Sequence, residues 1–549
     1  MALSKVSKRE ASPCDGLPAH LPAKTKRMLM HLGKDWGLES PFGDGRCIMD
    51  GVNLSPRMGG VPASRLPRRG FVNYGQGTPH GMVFFNGALI FARGTGLYMS
   101  TDGVSVVTLT TVSDTHKSFV IFGEKLYIYP DKLYMRADFM AKPLEMDAGV
   151  IANVEFSGNT IRLPEGFSWS GLGFGVGDCL WATNTEKTSV VPEGYYHIRD
   201  LDGQVATLSQ SLSATCTSPA RFRRVIPNLS ACCACGDRVY GIAGKKIYVS
   251  AAGSATDFYS GATGDGSHAV TLSSDADGVF TALSSWQGYM VFFKDDHICK
   301  LLGSRADSFT LQDRRGVGIP AALAHTLCEV GDALYYAAAG GVWRYRGQEP
   351  EWICSFGGDT AQGGCGGTDG RAYYLSVSTN RTDRVFLYLP EVERWYPEDG
   401  VSIGTMLCHD GLLWMQDSSG IVWTTSSDGR SRKGGVSEAT MKGPVIASMT
   451  LSTDRSDEPA RIRPSGLWVR ATGRSGEMRV YASYADGAAC RDATTEGEVL
   501  LGEFSAPMED RLLTLTPSAG LCDAVTVRVE TQGEWVIHDV IREYDVVQE

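Results

Sequence analysis

Apolar and polar positions alternate along most of this chain, and glycine turns punctuate the alternation. One unit recurs: a Gly or Gly-Asp turn, a short apolar run, a second turn and another apolar run. It reads "NGALIFARGTGLYMS" at Gly87, "GEKLYIYPDKLYMRA" at Gly123, "GDRVYGIAGKKIYVS" at Gly236 and "QGYMVFFKDDHICKLLG" at Gly288. It continues as "GDALYYAAAGGVWRYRG" at Gly331, "GRAYYLSVSTNRTDRVFLYL" at Gly370 and "GLLWMQDSSGIVWTT" at Gly411. From Gly288 onward the spacings are 43, 39 and 41 residues; Gly87 to Gly123 is 36, and Gly236 to Gly288 is 52. Antiparallel hairpins repeated every 40 residues or so (about 40–45 in the commonest class) are the signature of a β-propeller. A blade with two apolar faces buries neither alone. Radial stacking buries both, and closing the circle removes the open ends. The Val, Ile, Leu, Tyr and Trp of each hairpin fit strands covered on both sides. The pattern predicts an all-β fold with about seven blades, six or eight also fitting the spacings.

The gap from Gly123 to Gly236 is 113 residues, far more than one repeat. Residues 148–224 have a strand rhythm of their own, in "VEFSGNTIRL", "FGVGDCLWAT", "GYYHIRDLDGQVATLS" and "ARFRRVIP", and predict a small inserted β-barrel projecting from one rim. The propeller then comprises residues 76–147 and 225–430. Residues 428–442, "DGRSRKGGVSEATMK", read as a linker. Residues 440–549 alternate again and predict a C-terminal β-sandwich, jelly-roll-like. Residues 1–75 break the rhythm. They predict one short helix in "AKTKRMLMHLGKDWGL" and otherwise an extended arm, basic through Lys5, Lys8, Arg9, Lys24, Lys26, Arg27 and Lys34, that docks on another subunit.

Composition refines this plan. A chain of 549 residues is long enough for two to four domains, and 65 glycines fit many turns and short strands. A net charge of −10 argues against a nucleic-acid-binding surface, though not against a weakly repulsive wall along which nucleic acid slides. No signal peptide or apolar run of membrane-spanning length is expected, and the 14 cysteines read as small buried residues of a protein made in a reducing cytoplasm.

No catalytic residue, cofactor or metal is expected from the candidate motifs. "LYMSTDGVSVVTL" resembles the Asp-box turn of sialidase-like propellers through Ser100, Asp102 and Gly103, and "TTSSDGRS" (424–431) is a poorer match; such boxes brace turns. The glycines of "GLGFGVGD" (171–178) lack the following helix of a dinucleotide site. "CCACGD" offers Cys232 and Cys235 but no second pair for zinc. His268, His297, His325, His409 and His538 stand apart from nucleophile motifs. Asp295 and Asp296, and Glu391 and Glu393, read as turn residues. Asp257 and Asp265 sit eight residues apart around Phe258 and Tyr259, and their loop reads as a connection between strands.

The run "GKKIYVSAAGSATDFY" (244–259) and the later "DRRGVGIPAALAHTLCEVGDALYYAAAGGVWRYRG" (313–347) resemble blades of propeller proteins of tailed-phage virions. The C-terminal "WVIHDVIREYDV" (535–546) resembles the closing strand of a sandwich in such proteins. The family is that of tail hub or nozzle proteins, often labelled DNA-stabilisation proteins. The resemblance covers residues 75–430 well and the ends poorly, and it carries no catalytic residues. It implies a structural virion protein, made in the host cytoplasm and assembled with copies of itself into a ring, commonly a hexamer. Such a ring sits below portal and adaptor, extends or gates the DNA channel for DNA ejection, and holds fibre or spike proteins. A carbohydrate- or receptor-binding propeller, with or without glycosidase activity, is the alternative, and an unrelated propeller scaffold the third.

Overall fold

The computed structural model describes residues 6–7, 25–32, 36–39, 48–56, 60–64, 68–184, 191–263, 265–338, 340–356, 360–378, 383–398, 402–424, 441–442, 446–454, 460–485, 497–517 and 520–547. Among them, seven antiparallel sheets surround one axis. Six are four-stranded meanders over residues 79–111, 118–143, 231–273, 282–315, 328–355 and 363–398. The seventh combines residues 403–424 with Arg68–Asn73 and Met441–Lys442. The seven glycine-led hairpins of the sequence are the middle two strands of these seven blades.

The first blade shows why alternation produces this stack. Its second strand, Ala88–Arg93, is buried at every position. Leu89 and Phe91 pack with Trp414 and Val422 of the seventh blade, whereas Ile90 and Ala92 pack with Leu126 and Ile128 of the second. Successive side chains of a strand point to opposite faces, so one apolar run feeds two inter-blade cores. Each such buried side chain contributes about 1.5–3 kcal/mol.

The innermost strands complete the circle. Pro79–Phe85 lies against Ser118–Phe122, and that strand against Ala231–Cys235, which in turn meets Ala282–Trp286. A 3-10 helix, Ala321–Thr326, bridges from there to the blades beyond, and Gly363–Thr368 meets Ile403–His409, which returns to Pro79–Phe85. Closure is made with a strand from far away in sequence. Asn73 pairs with Ile421 and Gly70 with Trp423, so the N-terminal segment supplies the fourth strand of the last blade. Arg93 of the first blade clasps the seam by donating from Nε to the Gly77 carbonyl at 2.9 Å and from Nη2 to the Ser418 carbonyl at 3.0 Å.

Residues 146–224 form a closed six-stranded barrel between the second and third blades. It has its own core around Phe156, Trp169, Ile198 and Phe222. The C-terminal sandwich has two sheets. One runs Thr25–Met30, Trp535–Val547, Arg461–Gly473, Met508–Leu515; the other runs Ile446–Leu451, Ala524–Gln532, Glu477–Ala485, Val499–Ser505, with Ile48–Val52 added at its edge. Counted along the chain from Thr25–Met30, the sheets read first-eighth-third-sixth and second-seventh-fourth-fifth, which is the strand order of a jelly roll.

The N-terminal segment therefore departs from the sequence expectation. Thr25–Met30 is a strand and not a helix, pairing along its length with Thr25↔Val547 to Met30↔Arg542. The open edge of Trp535–Val547 offers unpaired backbone groups, and pairing there outweighs a weak helical preference. The described parts of the segment pair within their own chain, whereas Lys5, Lys8, Arg9, Lys24 and Lys34 of the expected arm lie outside the described residues. Trp36 and Leu38 are 1% and 3% exposed, and Leu38 exchanges backbone hydrogen bonds with Trp395 of the sixth blade at 3.0 and 2.8 Å. Trp36 meets Tyr396 edge-on at 4.9 Å and donates from Nε1 to the Gly60 carbonyl at 2.8 Å. The expected linker lies outside the described residues except for Met441 and Lys442.

Trp36→Ala is expected to cost about 3–5 kcal/mol, as for other fully buried tryptophans, and to separate the unfolding of the sandwich from that of the propeller. Calorimetry would show two transitions where the native chain shows a coupled one. An unchanged thermogram would contradict the assignment of Trp36 as the joint.

Candidate functional site

The loop after the third blade's central hairpin is a bracket between propeller and barrel. Ser254 donates from Oγ to the Gly177 carbonyl of the barrel, and its Oγ accepts from the amides of Thr256 at 3.2 Å and Asp257 at 3.0 Å. Thr256 donates from Oγ1 to Asp178 Oδ1 at 2.9 Å. The buried Asp257 accepts from His197 Nδ1 of the barrel at 2.8 Å and from the amides of Tyr259 and Ser260 at 3.2 and 2.9 Å. Burial pushes the Asp257 carboxyl up, but the hydrogen bonds from His197 and Ser260 win and hold it below the ordinary carboxylate value.

The barrel answers with its own polar cradle. The glycines of residues 171–178 make tight turns, so that the Gly175 amide reaches Asp178 Oδ2 at 2.7 Å. Arg224 donates from Nη1 to that same oxygen at 2.5 Å and to the Gly173 carbonyl at 3.1 Å. Beside this network an aromatic ladder crosses the junction. The Arg223 guanidinium lies 3.6 Å above Trp181, Trp181 stacks on Tyr195 at 5.3 Å, and Tyr195 stacks on Tyr259 at 5.0 Å. Arg238, 2% exposed, ties the loop from below through the Ser250, His268 and Gly266 carbonyls at 2.7, 2.8 and 2.9 Å.

A second cluster crosses the propeller axis. Thr326, in the 3-10 helix, accepts at its carbonyl from the Tyr373 hydroxyl at 2.8 Å and at Oγ1 from the Ala337 amide at 3.0 Å. The glycine-rich inner strand Gly363–Thr368 permits this approach, since a Cβ at Gly366 would stand 2.3 Å from the Thr326 carbonyl oxygen. From the far side of the ring, His116 stacks on His325 of this helix at 3.5 Å. His80 pairs with Asp114 at 2.6 Å, and the buried Lys117 ammonium lies 2.7 Å from Asp131. Burial holds the His116 ring well below its ordinary pKa, and it lowers His325 to about 4. These rings are neutral packing elements that span the axis.

The remaining sequence candidates are dispersed. Asp102 accepts from the Val104 and Ser105 amides at 2.9 and 2.7 Å and from the Ser105 hydroxyl at 2.7 Å, bonds that bring its pKa down to about 2. The Gly103 amide reaches Ser100 Oγ at 3.0 Å, completing the brace within one turn. The weaker box at 424–431 lies almost wholly outside the described residues. Cys232 faces the core with Tyr129, whereas Cys233 and Cys235 face the opposite core with Met290, so alternation divides these thiols between two interfaces. Among the described residues no group of three or more His, Cys, Asp and Glu is placed to hold a metal ion.

The other histidines each have a local partner. His297 pairs with Asp296 at 2.8 Å, His409 stacks on Phe84 at 3.9 Å, His538 bonds Thr472 at 2.8 Å, and His268 Nδ1 accepts from the Thr263 amide at 3.4 Å. Glu391 and Glu393 pair with different arginines, Arg371 and Arg344. The Asp295 carbonyl accepts from the Gly318 amide at 3.1 Å. Asp265 is exposed and caps Ser267. The junction residues His197, Asp178 and Arg238, and the axial His80 and His116, carried no local sequence signal, because their partners are distant in the chain.

No protein family matches this chain, and no curated protein matches it. Solved structures do superpose on it loosely. The extracellular domain of the putative one-component system BT4673 from B. thetaiotaomicron has 10% identity and a TM-score of 0.37, covering 79% of this chain and 47% of its own. The computationally designed Ika8 protein has 10% identity and a TM-score of 0.35, with 65% and 99% coverage. BamB from Moraxella catarrhalis has 11% identity and a TM-score of 0.33, with 74% and 98% coverage. At these TM-scores the likenesses decide nothing about function. The class rests on the sheet order: a seven-bladed β-propeller among the described residues, carrying an inserted closed barrel and a jelly-roll sandwich. Among the described residues no helix is long and apolar enough to cross a membrane.

Asp257→Ala leaves His197 and the loop amides without their acceptor, and it is expected to cost about 3 kcal/mol. The barrel should then become the first part cleaved in limited proteolysis; an unchanged cleavage order would contradict the bracket. The axial histidines predict a pH dependence. Their folded pKa values lie below the unfolded value of 6.5, so their stabilisation is complete above that pH. It is lost as pH falls from 6.5 through about 4, by an amount that solvent screening reduces because the His325 side chain keeps one side open to water. Melting curves across this range should fall more steeply for the native chain than for His325→Leu; parallel slopes would overturn the assignment.

Proposed function

We propose that this protein is a structural, non-enzymatic component of a tailed-phage virion. It assembles with copies of itself into a ring at the tail hub or nozzle. The observation that carries this reading is the interlocking of three all-β modules into one body. The N-terminal segment pairs with both sandwich sheets and the last blade, and the Ser254–Asp257 loop bolts the barrel to the third blade. A ring subunit must hold several neighbours at fixed angles, and modules joined by shared strands and a hydrogen-bonded loop do that.

The axial contact of His116 and His325 bears on where DNA passes. The propeller's own axis is crossed, so in this reading DNA travels through the lumen enclosed between copies. The resemblance of residues 244–259 and 313–347 to phage propeller blades supports the same assignment. Its partners are portal, adaptor and fibre or spike proteins, and its location is the virion tail.

One observation favours carbohydrate binding as a second reading. Trp352, 58% exposed on an outer strand of the fifth blade, stands opposite Trp343. Paired aromatics with one ring open to solvent suit stacking on a sugar face.

Electron microscopy of the purified full-length chain distinguishes the two readings. Closed rings, hexameric in the expected case, with a lumen wide enough for a duplex support the structural role. A monomer or trimer that binds glycans, and loses binding with Trp352→Ala, would replace it with the second reading.

A further inference from the structure

Most exposed arginines described here face a carboxylate. Arg221 pairs with Asp147, Arg371 with Glu391 at 3.0 Å, Arg470 with Asp510 at 2.5 Å, and Arg479 with Glu503 at 2.8 Å. The groove between the fourth and fifth blades differs. Lys300 and Arg314 converge there with Gln312 around a cavity of about 130 Å³. The far wall is Tyr345 and the turn at residues 347–350.

The register explains the convergence. Lys300 stands opposite Gln312, and Ile298 opposite Arg314, in the antiparallel pair His297–Leu302 and Thr310–Arg315. Paired residues share a face, and so do residues two apart, so these four side chains line one surface. Lys300 is held by aromatic rings, with its ammonium 4.1 Å from the Tyr289 centroid and 5.7 Å from that of Trp286. Among the described residues no carboxylate forms an ion pair with Lys300 or Arg314: Glu349 lines the cavity without pairing, and Asp296 bonds His297 and faces Arg315, which stands on the other side of the strand. Two like charges facing one small concavity repel each other, and an anion between them relieves that repulsion.

We propose that this groove binds a tetrahedral oxyanion: inorganic phosphate or the phosphate of an ester. The arginine fork, the lysine ammonium and the glutamine amide supply more donors than a flat carboxylate accepts, and a phosphate presents oxygens in several directions. The cavity takes one such group. The site stands independently of the phage reading, since nothing in it depends on ring assembly.

The test uses the full-length chain in sodium phosphate and in sodium chloride of equal ionic strength. Phosphate raises the melting temperature above the chloride value, because a ligand of the native state stabilises it. Arg314→Gln weakens phosphate binding by calorimetry about tenfold and removes the shift, while Arg511→Gln, the same charge change on the sandwich, leaves both intact. Should Arg314→Gln fail to fold, Gln312→Ala gives the same readout from an exposed amide. Equal melting in the two salts, or a phosphate response unchanged in the groove variants, overturns the proposal. A thymidine oligonucleotide identifies the source. Tighter binding than inorganic phosphate points to a polymer phosphodiester and weaker binding to the free anion, and loss of either with the groove variant supports the site.

Discussion

Unpaired backbone at a sheet edge is the constraint that organises this molecule. A strand with no neighbour exposes a row of N–H and C=O groups, and a seven-bladed circle or an eight-stranded jelly roll each requires one more strand than its contiguous segment supplies. The segment from Thr25 to Asn73 resolves both cases. It lays Thr25–Met30 on the sandwich's last strand, adds Ile48–Val52 to the second sheet and closes the propeller with Arg68–Asn73. Between these pairings Trp36 and Leu38 are buried against the sixth blade. The same stretch that finishes two domains thereby fixes them to each other.

The barrel is held on different terms. It closes on itself and needs no borrowed strand, so only side chains and turns attach it. Asp257 and Asp178 act as acceptors at the two ends of that attachment, each saturated by groups from both modules. The stacked Trp181, Tyr195 and Tyr259 add apolar area beside them. Directional hydrogen bonds between modules favour one docking angle, whereas an apolar patch alone permits sliding. The stretch at residues 244–259 thus does two jobs in the fold: a blade hairpin in its first half and an inter-module anchor in its second.

How much of this was readable beforehand depends on range. The seven hairpins were visible because each is closed by a nearby turn, as at Gly236 and Gly331, and carries its apolar runs within about 15 residues, a local signal. The insertion at residues 148–224 and the alternating tail were visible as breaks in that period. The helix expected in "AKTKRMLMHLGKDWGL" failed because the helical preference of its Lys, Arg, Met and Leu residues is overridden by an edge more than 500 positions away, as in the Arg27–Glu543 pair. His325 was noticed as a residue, but its stacking partner His116 comes from across the ring. The basic groove was likewise hidden, since Lys300 and Arg314 meet only once two strands are in register and the next blade closes over them.

The sequence by itself determined the all-β class, the repeating blade and the division into propeller, inserted segment and C-terminal sheets. It did so because hairpins and alternation are written in neighbouring residues. Tertiary structure decided which strands close each domain, where the axis is crossed and which charges are left facing one another. Those outcomes depend on edges and side chains brought together from distant parts of the chain, and no local pattern of residues specifies such a partner.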